Sequence, residues 1–370
     1  MPKPQDRPQS KPEPEITLRE IFNKAVREVH ADFPQLKDRF TIISLQENRM
    51  HGNLTAEATG LEKAALNKYV LDTMQSSRDK KSSIASHNAN AKIVVFNDVA
   101  SHLNLFTSPN MLRAIGVMGI IDHEVGHLLV PDAMKYGTLA EKLYSEAAAD
   151  TYAVIRNLQR FKGHGNPIEI LSWQRALAFI EHGSQSHFTS FTLEAFGKVK
   201  DKIDFDALTP VETLHLARRF ALENAPHESL MRNLLDVFQP YRDALATGMP
   251  YSDALKVLAE ITLGPNTGYY TFRLGSIVLE QYLEGNIMRG GKHIDLQGPY
   301  WDEKRSEIAT RYIQVSKEGI LTGFPLKAAK QQPAANGNAA PKQGLRASEA
   351  IPQKAPAKPA ALIDRMRKWF

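Results

Sequence analysis

Apolar positions recur at helical spacing over most of this chain, and the exceptions are short and early. Thr17 and Glu20 in "TLRE" have the form of a capping box, and Leu18, Ile21, Phe22, Ala25, Val26 and Val29 then fall on one face of a helix that Pro34 closes. Two apolar runs rich in β-branched residues, Phe40 to Leu45 and Ala91 to Asn97, read as strands. Between them lie a polar, helix-like segment from Leu61 to Met74 and a Ser/Asn/Lys loop. Ser108 and Pro109 supply an N-cap and a first turn, and Met111 to Val130 is then almost continuously apolar, so it predicts a buried helix that Pro131 stops. Met111 and Met118 belong to its packing. Thr138 and Glu141 repeat the capping box and open a helix expected to reach Phe161 and end at Gly163.

From Pro167 to Gly319 amphipathic helical periodicity continues, with a capped start at Thr209 and breaks at Pro240, Gly248 to Pro250 and Gly264-Pro265. No fixed-period repeat is present. The pattern predicts an α+β protein. Residues 16–163 are expected to form an N-terminal lobe holding a small mixed sheet and the buried helix, and residues 164–325 a mostly α-helical C-terminal lobe. The proline-rich lead, residues 1–15, and the Ala/Pro/Lys/Gln tail, residues 326–370, lack the apolar content to offset ordering and read as disordered.

Composition narrows the chemistry. The 370 residues include no cysteine, which excludes disulfides, thiolate metal sites and cysteine nucleophiles. The net charge of +5 sits in the tail, where nine Lys/Arg face only Glu349 and Asp364 from Lys327 onward. The globular part is left slightly acidic, so no nucleic-acid partner is expected. The tail, which ends in the basic, amphipathic "LIDRMRKWF", is a candidate docking element for a partner or a membrane surface. The lead has no apolar core of a signal peptide, and the seven apolar residues from Ile115 to Ile121 are too few to span a membrane. The expected location is the cytoplasm, or outside it by a route that uses no N-terminal signal peptide.

The buried helix carries its polar groups at one end, as His123-Glu124-Val125-Gly126-His127. Residues four apart on a helix share a face, so the two imidazoles can converge on one zinc ion, and Glu124, about 100° round the axis, can reach an activated water without ligating. Two histidines and a glutamate at the end of an apolar helix are costly without a shared partner such as a metal. A carboxylate on a neighbouring antiparallel helix is one way to complete a three-ligand site with an open fourth position, and Glu146 is placed to do so. Asp150, one turn further on, can accept the Nδ1–H of a ligating histidine and fix its tautomer.

"HEVGH", eighteen residues and then "EAAAD" resemble the gluzincin branch of zinc metallopeptidases, which includes thermolysin and the HExxH aminopeptidases. A metzincin would have glycine where Val130 stands and histidine at Ala133, and a peptide deformylase would need a cysteine ligand. The resemblance covers about Asn88 to Phe161. It implies a zincin-like fold, one Zn²⁺ held by His123, His127 and Glu146, general-base work by Glu124, and orientation of His123 by Asp150. It also implies an edge strand that pairs with extended substrate, for which Ala91 to Asn97 is the candidate, and a donor to the developing oxyanion. His187 is the first choice for that donor, ahead of His182, His215, His227, Tyr152, Tyr269, Tyr270 and Arg273. The expected activity is hydrolysis of peptides or proteins by an endopeptidase, since no exopeptidase motif precedes the zinc helix. An aminopeptidase of the same class is the second reading. A non-catalytic zinc protein that binds or regulates a partner is the third, and the presence of Glu124 argues against it.

Overall fold

The computed structural model describes residues 17–317, apart from 38–39, 46–48, 53–61, isolated positions from 63 to 74, 76–84, 89–92, 97–109, 130–137 and 290–291. The proline-rich lead and the basic tail lie outside the described residues, as do Ser108, Pro109 and Pro131. Most of what is described is helix, joined to a small sheet near the N-terminus.

Helix α1 (Leu18–Asp32) begins with the Thr17/Glu20 capping box, whose two reciprocal bonds are both made, and a short 3-10 turn starting at Pro34 follows it. Its buried side chains are Ile21, Phe22, Ala25, Val26 and Val29, the face that the spacing predicts. Strands β1 (Thr41–Ser44), β2 (Arg49–Gly52), β3 (Ala85–Asn88) and β4 (Ile93–Phe96) form one sheet in the order β2-β1-β4-β3. β1 runs antiparallel to β2 and parallel to β4, in register Thr41 to Ile93 and Ser44 to Phe96, and β3 runs antiparallel to β4. All four β1 residues are buried, as expected of a strand covered on both faces. Described residues between Ala64 and Gln75 are helical, within the segment read as a polar helix.

One expectation is corrected here. The run from Ala91 to Asn97 forms β4, but β4 pairs on both sides and so offers no free backbone edge. The edges of the sheet are β2 and β3, and β3 lies inside the Ser/Asn/Lys stretch read as a loop. Its sequence, "ASHN", has no β-branched or aromatic residue, so pairing with β4 makes it a strand where propensity does not.

Helix α2 (Asn110–Leu129) carries the HEVGH motif, and α3 (Leu139–Phe161) carries Glu146 and Asp150. The Thr138/Glu141 capping box is formed, and the chain leaves α3 through left-handed Lys162 and Gly163 at φ +77°. α2 and α3 lie antiparallel, as the pairs His127–Ser145, His123–Asp150 and Asp122–Arg160 show. Their axes approach closely because Gly126 faces Ala149. A buried ion network, Arg160 with Asp122 and Glu28 and Arg156 with Asp32, ties α1 to both helices. Burial pushes the Asp122 carboxyl up, and the guanidinium of Arg160 opposes it.

Eight helices follow: α4 (Pro167–His182), α5 (Ser190–Val199), α6 (Pro210–Asn224), α7 (Glu228–Val237), α8 (Gln239–Ala246), α9 (Tyr251–Leu263), α10 (Tyr269–Leu283) and α11 (Pro299–Lys317), with a two-stranded ribbon, β5 (Met288–Arg289) and β6 (Lys292–His293), before the last. The sequence breaks fall between helices, except that Pro240 sits in the first turn of α8. One apolar core joins α1, the sheet, α2 and α3, and draws in Ile168, Leu193, Phe196, Leu214 and Ala217 from beyond residue 163. A second joins Leu143 of α3 to α4 and α7–α11. Among the described residues no helix is long and apolar enough to cross a membrane.

Candidate metal centre

The last turn and a half of α2 faces the second and third turns of α3. His123 and His127 point at each other there, with their Nε2 atoms 3.0 Å apart. The Glu146 carboxylate straddles them, Oε2 3.4 Å from His123 Nε2 and Oε1 3.5 Å from His127 Nε2. These three residues are the group of metal-ligand type that converges among the described residues. Three donors on a tetrahedral zinc with bonds near 2.0–2.1 Å would be separated by about 3.3 Å, so the observed separations fit that ion. Glu146 Oε2 is also buried without a hydrogen bond, although His123 and His187 lie within 3.5 Å of it. A buried carboxylate oxygen with no aligned donor is poorly satisfied unless a cation completes it.

Both imidazoles are held from behind. His123 Nδ1 lies 2.8 Å from Asp150 Oδ1 and donates to it, which turns Nε2 toward the cluster. His127 Nδ1 lies 2.9 Å from Ser145 Oγ, a second orienting contact of the same kind. Burial opposes charge on His123, but the Asp150 and Glu146 carboxylates outweigh it and push His123 up to about 10. Burial depresses His127. Glu146 is desolvated as well, yet the imidazoles hold it well below the usual carboxylate range. Glu124 is buried at 8% exposure, within electrostatic reach of His127 and Arg175.

Asp150 is fully buried, and what keeps it ionised is a residue the sequence reading missed. Arg175 of α4 donates from Nε to Oδ2 at 2.8 Å and from a terminal nitrogen to Oδ1 at 2.5 Å, a two-pronged pair. Thr189, just before α5, also donates to Oδ2. Desolvation would raise Asp150, but Arg175 and then His123 hold it below its ordinary value. The same guanidinium lies 3.9 Å from Glu146 Oε2. A signal was present in the sequence: Arg175 is the one charge in the apolar run "ILSWQRALAFI", and a charge inside a buried helix needs a partner. Its partner, 25 residues back on another helix, was not legible.

Of the donors considered for an oxyanion, His187 alone touches the cluster, with Nε2 3.5 Å from Glu146 Oε2. Ser184 Oγ lies 2.7 Å from its Nδ1, and burial together with Arg175 depresses its basicity. A Ser184 hydroxyl donating to Nδ1 leaves the ring proton on Nε2, the nitrogen that faces the cluster. The rest are elsewhere. Tyr152 is buried near Arg156 and Asp122, and Arg273 is bound to Glu194 and Tyr312. His182 and His215 are exposed, His227 caps α7, and Tyr269 and Tyr270 begin α10.

No family model matches the chain, and no curated protein or solved structure matches it. The functional reading therefore rests on the residues of this site.

Proposed function

We propose that this chain is a zinc-dependent metallopeptidase, a hydrolase acting as an endopeptidase on peptide or protein substrates. The observation that carries this reading is the convergence of His123 Nε2, His127 Nε2 and the Glu146 carboxylate, with Glu124 adjacent on the same helix. His123, His127 and Glu146 would hold one zinc ion. Zinc bound there supplies Lewis acidity, lowering the pKa of a water and polarising the scissile carbonyl. Glu124 contributes a carboxylate oxygen that accepts the proton of the attacking water and delivers it to the leaving amine nitrogen. His187 donates its Nε2–H to the substrate oxygen as charge develops on it, in a position fixed by Ser184. Asp150 and Arg175 touch no substrate in this scheme and act by holding His123.

The test is paired. Zinc content and cleavage of an unbiased peptide library are measured for the wild type and for Glu124→Gln. The expected result is one zinc in each and cleavage only by the wild type. One zinc in each and no cleavage by either would sink the peptidase reading and favour a zinc-bearing binding protein. Glu146→Ala, expected to lose zinc, tests the third ligand separately.

A further inference from the structure

The carboxylate of Asp150 is shared between the two histidines that the scheme above uses in different ways. Its Oδ1 accepts from the metal-ligand candidate His123, and its Oδ2 accepts from the Thr189 hydroxyl at 2.5 Å. Thr189 is fully buried and stands two residues after His187, whose backbone carbonyl accepts the Thr189 N–H at 2.8 Å. Phe188, between them, is fully buried as well. The backbone that carries His187 is therefore tied to Asp150 through a single side chain.

Thr189 stands just before α5, where a threonine ordinarily caps the helix that follows. Thr17, Thr138 and Thr209 do so, each accepting the backbone N–H three residues on. Thr189 makes no such bond, and its hydroxyl is turned to Asp150 instead. Asp150 has no need of it for charge, since Arg175 already pairs with both of its oxygens. What the bond adds is a fixed distance between the His187 segment and the helix that carries Glu146 and Asp150. The ring itself ends 3.5 Å from Glu146 Oε2, with Ser184 Oγ 2.7 Å behind it at Nδ1.

We propose that Thr189 is a positioning residue, which sets His187 against the metal centre by tying its segment to Asp150. This rests on the peptidase reading and adds to it a residue that touches no substrate. A donor to a developing oxyanion acts over a narrow range of position, and a displacement of about 1 Å lowers the rate about 100-fold. One carboxylate then aligns both the ligand His123 and the donor His187, so the two keep a common frame.

The experiment compares Thr189→Val, which removes the donor, with Thr189→Ser, which keeps it, in the full chain. On a peptide that the wild type cleaves, Thr189→Val is expected to lower kcat about 10- to 100-fold with KM within about twofold, while Thr189→Ser stays within about threefold of the wild type. In the His187→Ala background Thr189→Val should change kcat by less than about twofold, since the ring it places is already gone. Zinc affinity should stay within about threefold, because Arg175 still holds Asp150. A second readout needs no turnover. Cobalt(II) is substituted for zinc, and the hyperfine-shifted His187 proton resonance, identified by its loss in His187→Ala, is followed by NMR. Thr189→Val is expected to move it and Thr189→Ser to leave it in place. Thr189→Ala replaces Thr189→Val if circular dichroism shows that the valine variant does not fold. An unmoved resonance, an unchanged kcat, a loss of kcat that persists undiminished in His187→Ala, or zinc binding weakened more than about tenfold overturns the proposal. If the wild type cuts no peptide, the peptidase reading fails, and the cobalt resonance still decides whether Thr189 places His187.

Discussion

Gly126 lies against Ala149 so closely that a Cβ added to the glycine would stand 2.8 Å from the Ala149 Cα. This contact lies between the two histidines on one helix and between Glu146 and Asp150 on the other. It sets the distance across which the imidazoles meet the carboxylate.

Gly126→Ala is therefore expected to push α2 and α3 apart, destabilising the fold by about 1–3 kcal/mol and lowering zinc affinity. Ala149→Gly should not rescue it, because the clash is with backbone. Urea unfolding and zinc titration of the single and double variants check both parts. Wild-type zinc affinity in Gly126→Ala would show that the spacing is set elsewhere.

Adding zinc to metal-free protein should raise its melting temperature, since an ion that binds only the folded chain stabilises it by about 2.7 kcal/mol at one hundred times its Kd. The shift should persist in Glu124→Gln and vanish in Glu146→Ala. Differential scanning calorimetry with and without a chelator gives the answer, and an unchanged shift in Glu146→Ala would move the ligand assignment.

Arg175→Gln leaves Asp150 buried without its cation, and breaking such a pair costs about 3–5 kcal/mol. Loosening Asp150 should also weaken zinc binding on the order of 10- to 100-fold, as loss of a ligand's supporting contact does. Arg175→Lys keeps the charge but not the two-pronged geometry, so its losses should be intermediate. A chelator competition assay beside thermal unfolding separates the two effects. Undiminished zinc affinity in Arg175→Gln would leave the arginine a purely structural role.

Glu280 of α10 gives a pH dependence away from the metal. Burial pushes its carboxyl up to about 8, with Glu284 and Glu169 adding to the shift and Arg273 opposing it, and its Oε1 has no hydrogen-bond partner. The folded state holds this proton more tightly than the unfolded state does. Glu280 therefore lowers stability as pH rises from about 4.5 to about 8, and the loss is complete above that. Glu280→Gln should flatten the decline and stabilise the protein above pH 8 by a few kcal/mol. Stability curves of the two proteins across this range decide it, and parallel curves would refute the assignment.

Much of this was legible in local sequence. The two capping boxes at Thr17 and Thr138, the apolar face of α1, the helix that carries HEVGH, the bounds of α3 to within a residue or so, and the i,i+4 spacing of the histidines all follow from helix geometry and capping chemistry, which act within a few residues. Strand order was not legible. The β4 run was read as an edge because its composition shows that it pairs, not how many partners it has, and β3 was missed because its pairing overrides its propensity.

The sequence by itself determined which side chains are of metal-ligand type and which helices carry them, because a side chain's chemistry and its place on a helix face are local properties. Only the tertiary structure decided that Glu146 meets both imidazoles, that Arg175 and Thr189 hold Asp150, and that His187 rather than Tyr152 or Arg273 lies at the centre. Those contacts join residues 19 to 41 positions apart, and their geometry depends on how closely α2, α3 and α4 pack, which is fixed by the Gly126–Ala149 approach and by two apolar cores that no short window of sequence contains.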